Sequence, residues 1–88
     1  MQMLNYLVEF IGTFLFLSVI LKVGKPMPIA IALLAAIYFG GSISGGHFNP
    51  AVSVMMYLKK SLPLNKLLLY VVAQVAGGVA ALQFSKLK

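Results

Sequence analysis

Residues 44–52, Ser-Gly-Gly-His-Phe-Asn-Pro-Ala-Val, lie between long apolar runs in a very hydrophobic chain. No other feature constrains the fold as tightly. Residues 42–48 are too rich in glycine and polar groups for a helix facing lipid, where bare backbone N–H and C=O groups find no partner. Such a stretch must be buried in protein or line water. Pro50 suits the first position of a helix, where its missing N–H would have had no intrahelical partner anyway. Asn49 then stands at the positive end of that helix, aimed at whatever passes. The run from 50 to 58 holds nine residues. At about 1.5 Å rise each it measures roughly 13–14 Å, about half the hydrocarbon thickness of a bilayer. That length predicts a re-entrant half-helix, which enters the membrane and stops midway.

Composition sets the solvent. Of 88 residues, 61% are hydrophobic and 9% charged, more apolar surface than a soluble domain of this size can hide, so the surroundings are lipid. Glu9 is the single acidic residue, and the seven basic residues are all lysines, for a net charge of +6. Charge of this kind suits anionic headgroups beside membrane spans, and nucleic acid is not an expected partner. The chain has no cysteine, hence no disulfide frame, thiolate metal site or thiol nucleophile. One Glu and one His make neither a metal site nor a catalytic triad, so no enzyme and no cofactor are expected.

The pattern predicts an all-α membrane protein forming a single domain over 1–88. Its first helix covers about 4–21, its second about 28–43, a re-entrant loop and half-helix about 44–58, and a third spanning helix about 64–85. Lys22, Gly24, Lys25, Pro26 and Pro28 mark one turn, and Lys59-Lys60-Ser61-Leu62-Pro63 the return to the interface. The N-terminal run lacks a basic flank and carries Glu9 inside it, which reads as a retained helix, not a cleaved signal. Three crossings put the termini on opposite sides. Lys59, Lys60 and Lys66 then share the side of the N-terminus, against Lys22, Lys25, Lys86 and Lys88. Counting the terminal amine, each side holds four positive charges, and the positive-inside rule scarcely chooses an orientation. Such balance is expected of a chain that inserts both ways.

Glu9-Phe10-Ile11-Gly12-Thr13-Phe14, the block from Ser44 to Ser53, and Tyr70-Val71-Val72-Ala73-Gln74 together resemble the first helix, first pore loop and third helix of one family. That is the aquaporin and glycerol-facilitator (major intrinsic protein) family, and the resemblance covers nearly the whole chain in the right order. It is to the N-terminal half only. The family's full chains carry two such halves in inverted orientation, with two half-helices meeting at the midplane. One half alone would leave a helix end, a glycine-rich backbone and Glu9 facing lipid, at several kcal/mol per unsatisfied polar group. The simplest completion is a second, upside-down copy, an antiparallel homodimer about a two-fold axis in the membrane plane. It would have six spanning helices and two half-helices. The family's habit of clustering four pores extends this to eight chains, in a plasma membrane.

The resemblance also suggests roles. Asn49, within Asn49-Pro50-Ala51, would donate its side-chain N–H to a passing oxygen, while the half-helix dipoles oppose cations and protons. It also suits the capping position of the half-helix. Gly45, Gly46, His47 and Phe48 would present backbone carbonyls along the vestibule. His47 is either a pH-responsive group at the mouth or a satisfied structural donor. Glu9, with Gln74, would brace the loop; direct proton transport is the sharper alternative for an intramembrane carboxylate. Gly12, Gly40, Gly41, Gly77 and Gly78 read as sites of close helix approach, and Met55 and Met56 as packing. Many family members place an Arg at a narrow constriction where this chain has Val52. A ring of Ile29, Ile37, Gly46 and Val52 would be apolar and without a fixed cation, and so tolerant of small neutral solutes. The expected function is a passive channel for water and small uncharged, glycerol-like molecules. The alternatives are a non-conducting membrane subunit or partner of a full-length aquaporin, a truncated product, and a proton or ion carrier built on Glu9.

Overall fold

The computed structural model describes residues 2–87, with side chains from Met3 onward. Lys88 and the amine of Met1, both counted in the charge balance, lie outside the described residues. Four helices follow one another: α1 (Gln2–Lys22), α2 (Pro26–Ser44), α3 (Pro50–Leu58) and α4 (Leu64–Ser85). The all-α class holds. Met3–Lys22, Pro26–Ser44 and Leu64–Ser85 are each long and apolar enough to cross a membrane.

The ends of these elements follow local chemistry. α2 opens on Pro26, two residues ahead of the expected start, because a proline in the first turn gives up an N–H that has no intrahelical partner. Its other end is closed by Gly45 (φ 94°), whose N–H donates to the Gly41 carbonyl. Gly46 continues in the same left-handed region at φ 66°, a conformation that costs glycine little and most side chains more. These two residues turn the chain back into the bundle.

α1 is the hub. It packs along α4 and along α2, while α3 leans on α4; α2 and α4 do not pack along each other and meet through the Tyr70 hydroxyl and the Ser44 carbonyl at the end of α2. Tyr6 and Tyr70 meet edge to face at 5.7 Å near the start of α1 and α4. At their other ends Lys22 Nζ sits 4.5 Å from the centre of the Phe84 ring. The two helices therefore run parallel, and the ends of the described chain lie at opposite ends of a body about 40 Å long. That length matches a bilayer with its headgroups.

Burial is inverted relative to a soluble protein. The largest fully buried side chains are Glu9, Thr13 and Ser53, whereas Leu34, Phe39 and Val72 are 66%, 74% and 63% exposed. Apolar side chains face outward because their solvent is hydrocarbon, and polar ones turn inward to find partners. The expected close approaches are not alike, and at Gly41 an added Cβ would meet only Ile37 Cγ2 of its own helix, at 3.8 Å. At Gly77 an added Cβ would stand 2.7 Å from the Phe10 carbonyl oxygen, so this glycine sets the α1–α4 crossing. At Gly12 the nearest atoms to an added Cβ all belong to the ring of Phe48, so here the missing side chain makes room for the loop.

Gly77→Ala is therefore expected to destabilise the bundle by about 1–2 kcal/mol net, overpacking outweighing the roughly 1 kcal/mol of helix propensity that alanine adds. At Gly78 an added Cβ would touch only the movable tip of Leu17, so Gly78→Ala should be neutral or stabilising. Loss of helical circular dichroism on titration with denaturing detergent measures both.

Candidate functional site

The site is the loop from Gly45 to Asn49 and the start of α3, built onto the middle of α1. Glu9 is fully buried, an expensive place for a carboxylate unless every lone pair is used. Four neutral donors use them. Oε2 accepts from the Ser44 hydroxyl at 2.7 Å and the His47 backbone N–H at 3.1 Å. Oε1 accepts from the Phe48 backbone N–H at 2.8 Å and Gln74 Nε2 at 2.9 Å. One side chain of α1 thus ties together the end of α2, two loop N–H groups and the middle of α4.

A second ring of contacts supports the first. The Tyr70 hydroxyl donates to the Ser44 carbonyl at 2.6 Å, and the Gly46 N–H lies 3.2 Å from Ser44 Oγ. Gln74 Nε2 also donates to Ser53 Oγ at 2.8 Å, reaching into the first turn of α3. His47 Nδ1 lies 2.8 Å from the same Ser53 oxygen, and its ring leans on Tyr70 with centroids 4.9 Å apart. Phe48 is 3% exposed and takes a left-handed backbone at φ 53°, uncommon for a bulky residue. Its ring is wedged against Gly12 and Gly40. The side chain of Phe48 is therefore an anchor for the loop.

Asn49 caps α3. Its Oδ1 accepts the Ala51 N–H at 2.8 Å, which leaves the amide Nδ2 hydrogens to point away from the helix at an exposed residue. Pro50 and Ala51 are exposed beside it, and Val52 is half-buried. In α2, Ile37 is exposed and Ile29 half-buried. An added Cβ on Gly46 would come 3.6 Å from Ile37 Cγ1, so Ile37 and Gly46 are neighbours. Ile29 lies two turns away, about 12 Å along the helix, and the four residues of the expected constriction do not meet within one chain.

Two cavities flank the loop. One, about 440 Å³, is lined by Asn5, Gly45, His47, Lys59, Lys66 and Tyr70 among others. The other, about 330 Å³, lies beyond the tip of α3 between α1 and α4, against Thr13, Leu17, Asn49, Pro50 and Gln74. Thr13 Oγ1 and Gln74 Oε1 are buried there without a hydrogen-bond partner. No group of His, Cys, Asp or Glu among the described residues is arranged to hold a metal. Sequence reasoning placed Ser44, Ser53 and Tyr70 within the blocks that carry the resemblance but assigned none of them a role.

The family model for the major intrinsic protein matches residues 2–87. Among curated proteins, the glycerol uptake facilitator protein-like 6 of Lactiplantibacillus plantarum is 36% identical, over 90% of this chain and 41% of its own. Aquaporin Z of Brucella melitensis biotype 1 is 45% identical over 66% of this chain and 25% of its own. Aquaglyceroporin-4 of Botryotinia fuckeliana is 45% identical over 58% of this chain and 7% of its own. The chain thus spans less than half the length of these relatives. No solved structure matches it.

Glu9→Ala would strand four donors in a dry interior, and a loss on the order of 3 kcal/mol or more is expected. Glu9→Gln should lose nearly as much, since its amide would turn a donor toward N–H groups. Tyr70→Phe, which orphans one carbonyl, should cost about 1 kcal/mol. Thermal unfolding in mild detergent, followed by circular dichroism, ranks the three.

Proposed function

The chain belongs to the major intrinsic protein family, and on that footing we propose that it is a passive channel for water and small uncharged solutes. The observation that carries this reading is the division of labour at Asn49. One end of its amide caps α3, while the other keeps two donors free at the positive end of a half-helix. A water or hydroxyl oxygen held by those donors turns its own hydrogens outward, which interrupts a proton-conducting chain, and the helix dipole opposes cations.

α3 is nine residues long and reaches about half-way through the hydrocarbon layer. A pore that spans the layer then takes a second half-helix from the opposite face. The pore in this proposal is formed by two oppositely oriented copies in a plasma membrane, with their Asn49-Pro50-Ala51 tips apposed at the midplane. The site residues are Asn49, Pro50 and Ala51 at the centre, carbonyls of residues 45–48 along the vestibule, and Glu9 with Gln74 bracing the loop. In such a pair Ile29 and Ile37 from opposite copies, with Gly46 and Val52, would form a constriction without an arginine. That composition supports passage of glycerol-sized neutral solutes as well as water, with ions rejected at the midplane. Four such pairs would make the eight-chain assembly.

Proteoliposomes holding only this polypeptide are expected to swell and shrink rapidly in osmotic gradients of sucrose and of glycerol. Asn49→Asp should lower water permeability roughly tenfold, the equivalent of one well-placed hydrogen bond. Protein-free rates, or water flux with no glycerol entry, would contradict the proposal. Orientation is read separately. The chain has no cysteine of its own, so Ser61→Cys offers one exposed thiol near the lysine-rich turn. A membrane-impermeant reagent should label about half of it from outside, as balanced flanking charge allows. Labelling of all or none would remove the antiparallel pair.

A further inference from the structure

The hydrogen bonds around Glu9 have a direction, and that direction can be followed to His47. A carboxylate only accepts. Two of the donors to Glu9 are backbone N–H groups, of His47 and Phe48, which cannot reverse. Gln74, 2.9 Å from Glu9 Oε1, must therefore present its NH₂ and not its oxygen. This leaves Gln74 Oε1 buried with no partner, the cost of meeting the carboxylate.

The second hydrogen of that NH₂ goes to Ser53 Oγ, so Ser53 accepts from Gln74. Ser53 is completely buried, and among the described residues its hydroxyl has, apart from Gln74, one neighbour within hydrogen-bond reach, His47 Nδ1 at 2.8 Å. If Nδ1 carried a proton, the serine hydrogen would have no acceptor in a dry interior, a heavy penalty for one buried group. We infer that the Glu9–Gln74–Ser53 chain fixes His47 as the neutral tautomer with its hydrogen on Nε2, making it a positioned donor at the mouth of the site.

Where Nε2 stands supports a use for that donor. An added Cβ at Gly45 would lie 3.2 Å from it, so the absence of a side chain at 45 keeps it uncovered. Gly45 and His47 both line the 440 Å³ cavity, together with Lys59 and Lys66. A lining that includes this imidazole and two lysines favours a ligand that offers an oxygen lone pair, such as a hydroxyl or carbonyl, and disfavours cations. The tautomer stands on the hydrogen bonds alone; its use on a permeating solute rests on the channel reading.

The chain has a single histidine, so a version without a histidine tag, ¹⁵N-labelled and placed in lipid nanodiscs, gives one imidazole signal pair. At neutral pH the expected spectrum has a proton on Nε2 and an unprotonated Nδ1 shifted by an accepted hydrogen bond. In Ser53→Ala, Nδ1 should move toward the position of a bare nitrogen. Protonation at Nδ1, an equal tautomer mixture, or an Nδ1 signal that ignores Ser53→Ala would overturn the assignment. If the alanine variant does not fold, the wild-type spectrum still decides the tautomer. In vesicles, His47→Met should lower glycerol entry roughly three- to tenfold, as for one lost hydrogen bond, with a smaller change in water flux. An unchanged ratio of the two fluxes would remove the donor's role on solutes while leaving the tautomer intact. Absence of any flux in the wild type would count against the channel alone.

Discussion

A charged carboxylate placed midway along a membrane helix has few stable surroundings, and Glu9 dictates most of what surrounds it here. Lipid offers no donors, so protein must supply them, and a single helix cannot. Helical backbone N–H groups are already committed to carbonyls one turn back. The free ones occur where a chain leaves regular structure, which is what the glycines at 45 and 46 bring about. Glu9 and the irregular loop thus satisfy each other: the loop's bare N–H groups answer the charge, and the charge answers groups that hydrocarbon would leave unpaired. Ser44 and Gln74 complete the set and fasten α2 and α4 to the same point.

The remaining architecture follows from holding that loop still. α3 starts where it does because the loop is clamped at His47 and Phe48 and because Pro50 needs no N–H partner. The Phe48 ring fixes the loop sideways, between glycines of two helices that would otherwise close the gap. Asn49 is consequently presented from a rigid frame, its oxygen tied to the helix and its amide hydrogens outward. A donor on a fixed frame discriminates by geometry, whereas one on a mobile loop would follow its ligand. The same hydrogen-bond polarity that satisfies Glu9 runs on through Gln74 and Ser53 to the imidazole, and in the proposed channel it sets which hydrogen a permeating molecule would meet.

Lipid as solvent also explains why apolar burial does so little of the specifying. Large side chains such as Leu34 and Phe39 lie on the outside, where they cost nothing in hydrocarbon. Uniqueness comes from small residues that let backbones touch, as at Gly77, and from inward polar groups. The cavity beyond the tip of α3, with Thr13 and Gln74 holding unpaired oxygens, marks the place where one half-helix ends and the bundle is still open.

Much of this was legible in the chain itself. Hydrophobic run lengths determined three spans, because the bilayer thickness converts directly into a residue count. The nine residues after Asn49 determined a half-helix by the same arithmetic, and proline and glycine marked its start and the bend before it through rules that act over a few residues. Glu9 stood out as a buried carboxylate needing partners. Other features were decided only in three dimensions. Ser53 meets Gln74 from 21 residues away, and Tyr70 meets Ser44 from 26, pairings that no periodicity records. Gly12 reads from sequence like any small residue of a helix interface, and only the fold shows that it makes room for an aromatic ring. Local chemistry and membrane thickness act along the chain and so can be read from it, but which donor faces which acceptor depends on how whole helices cross.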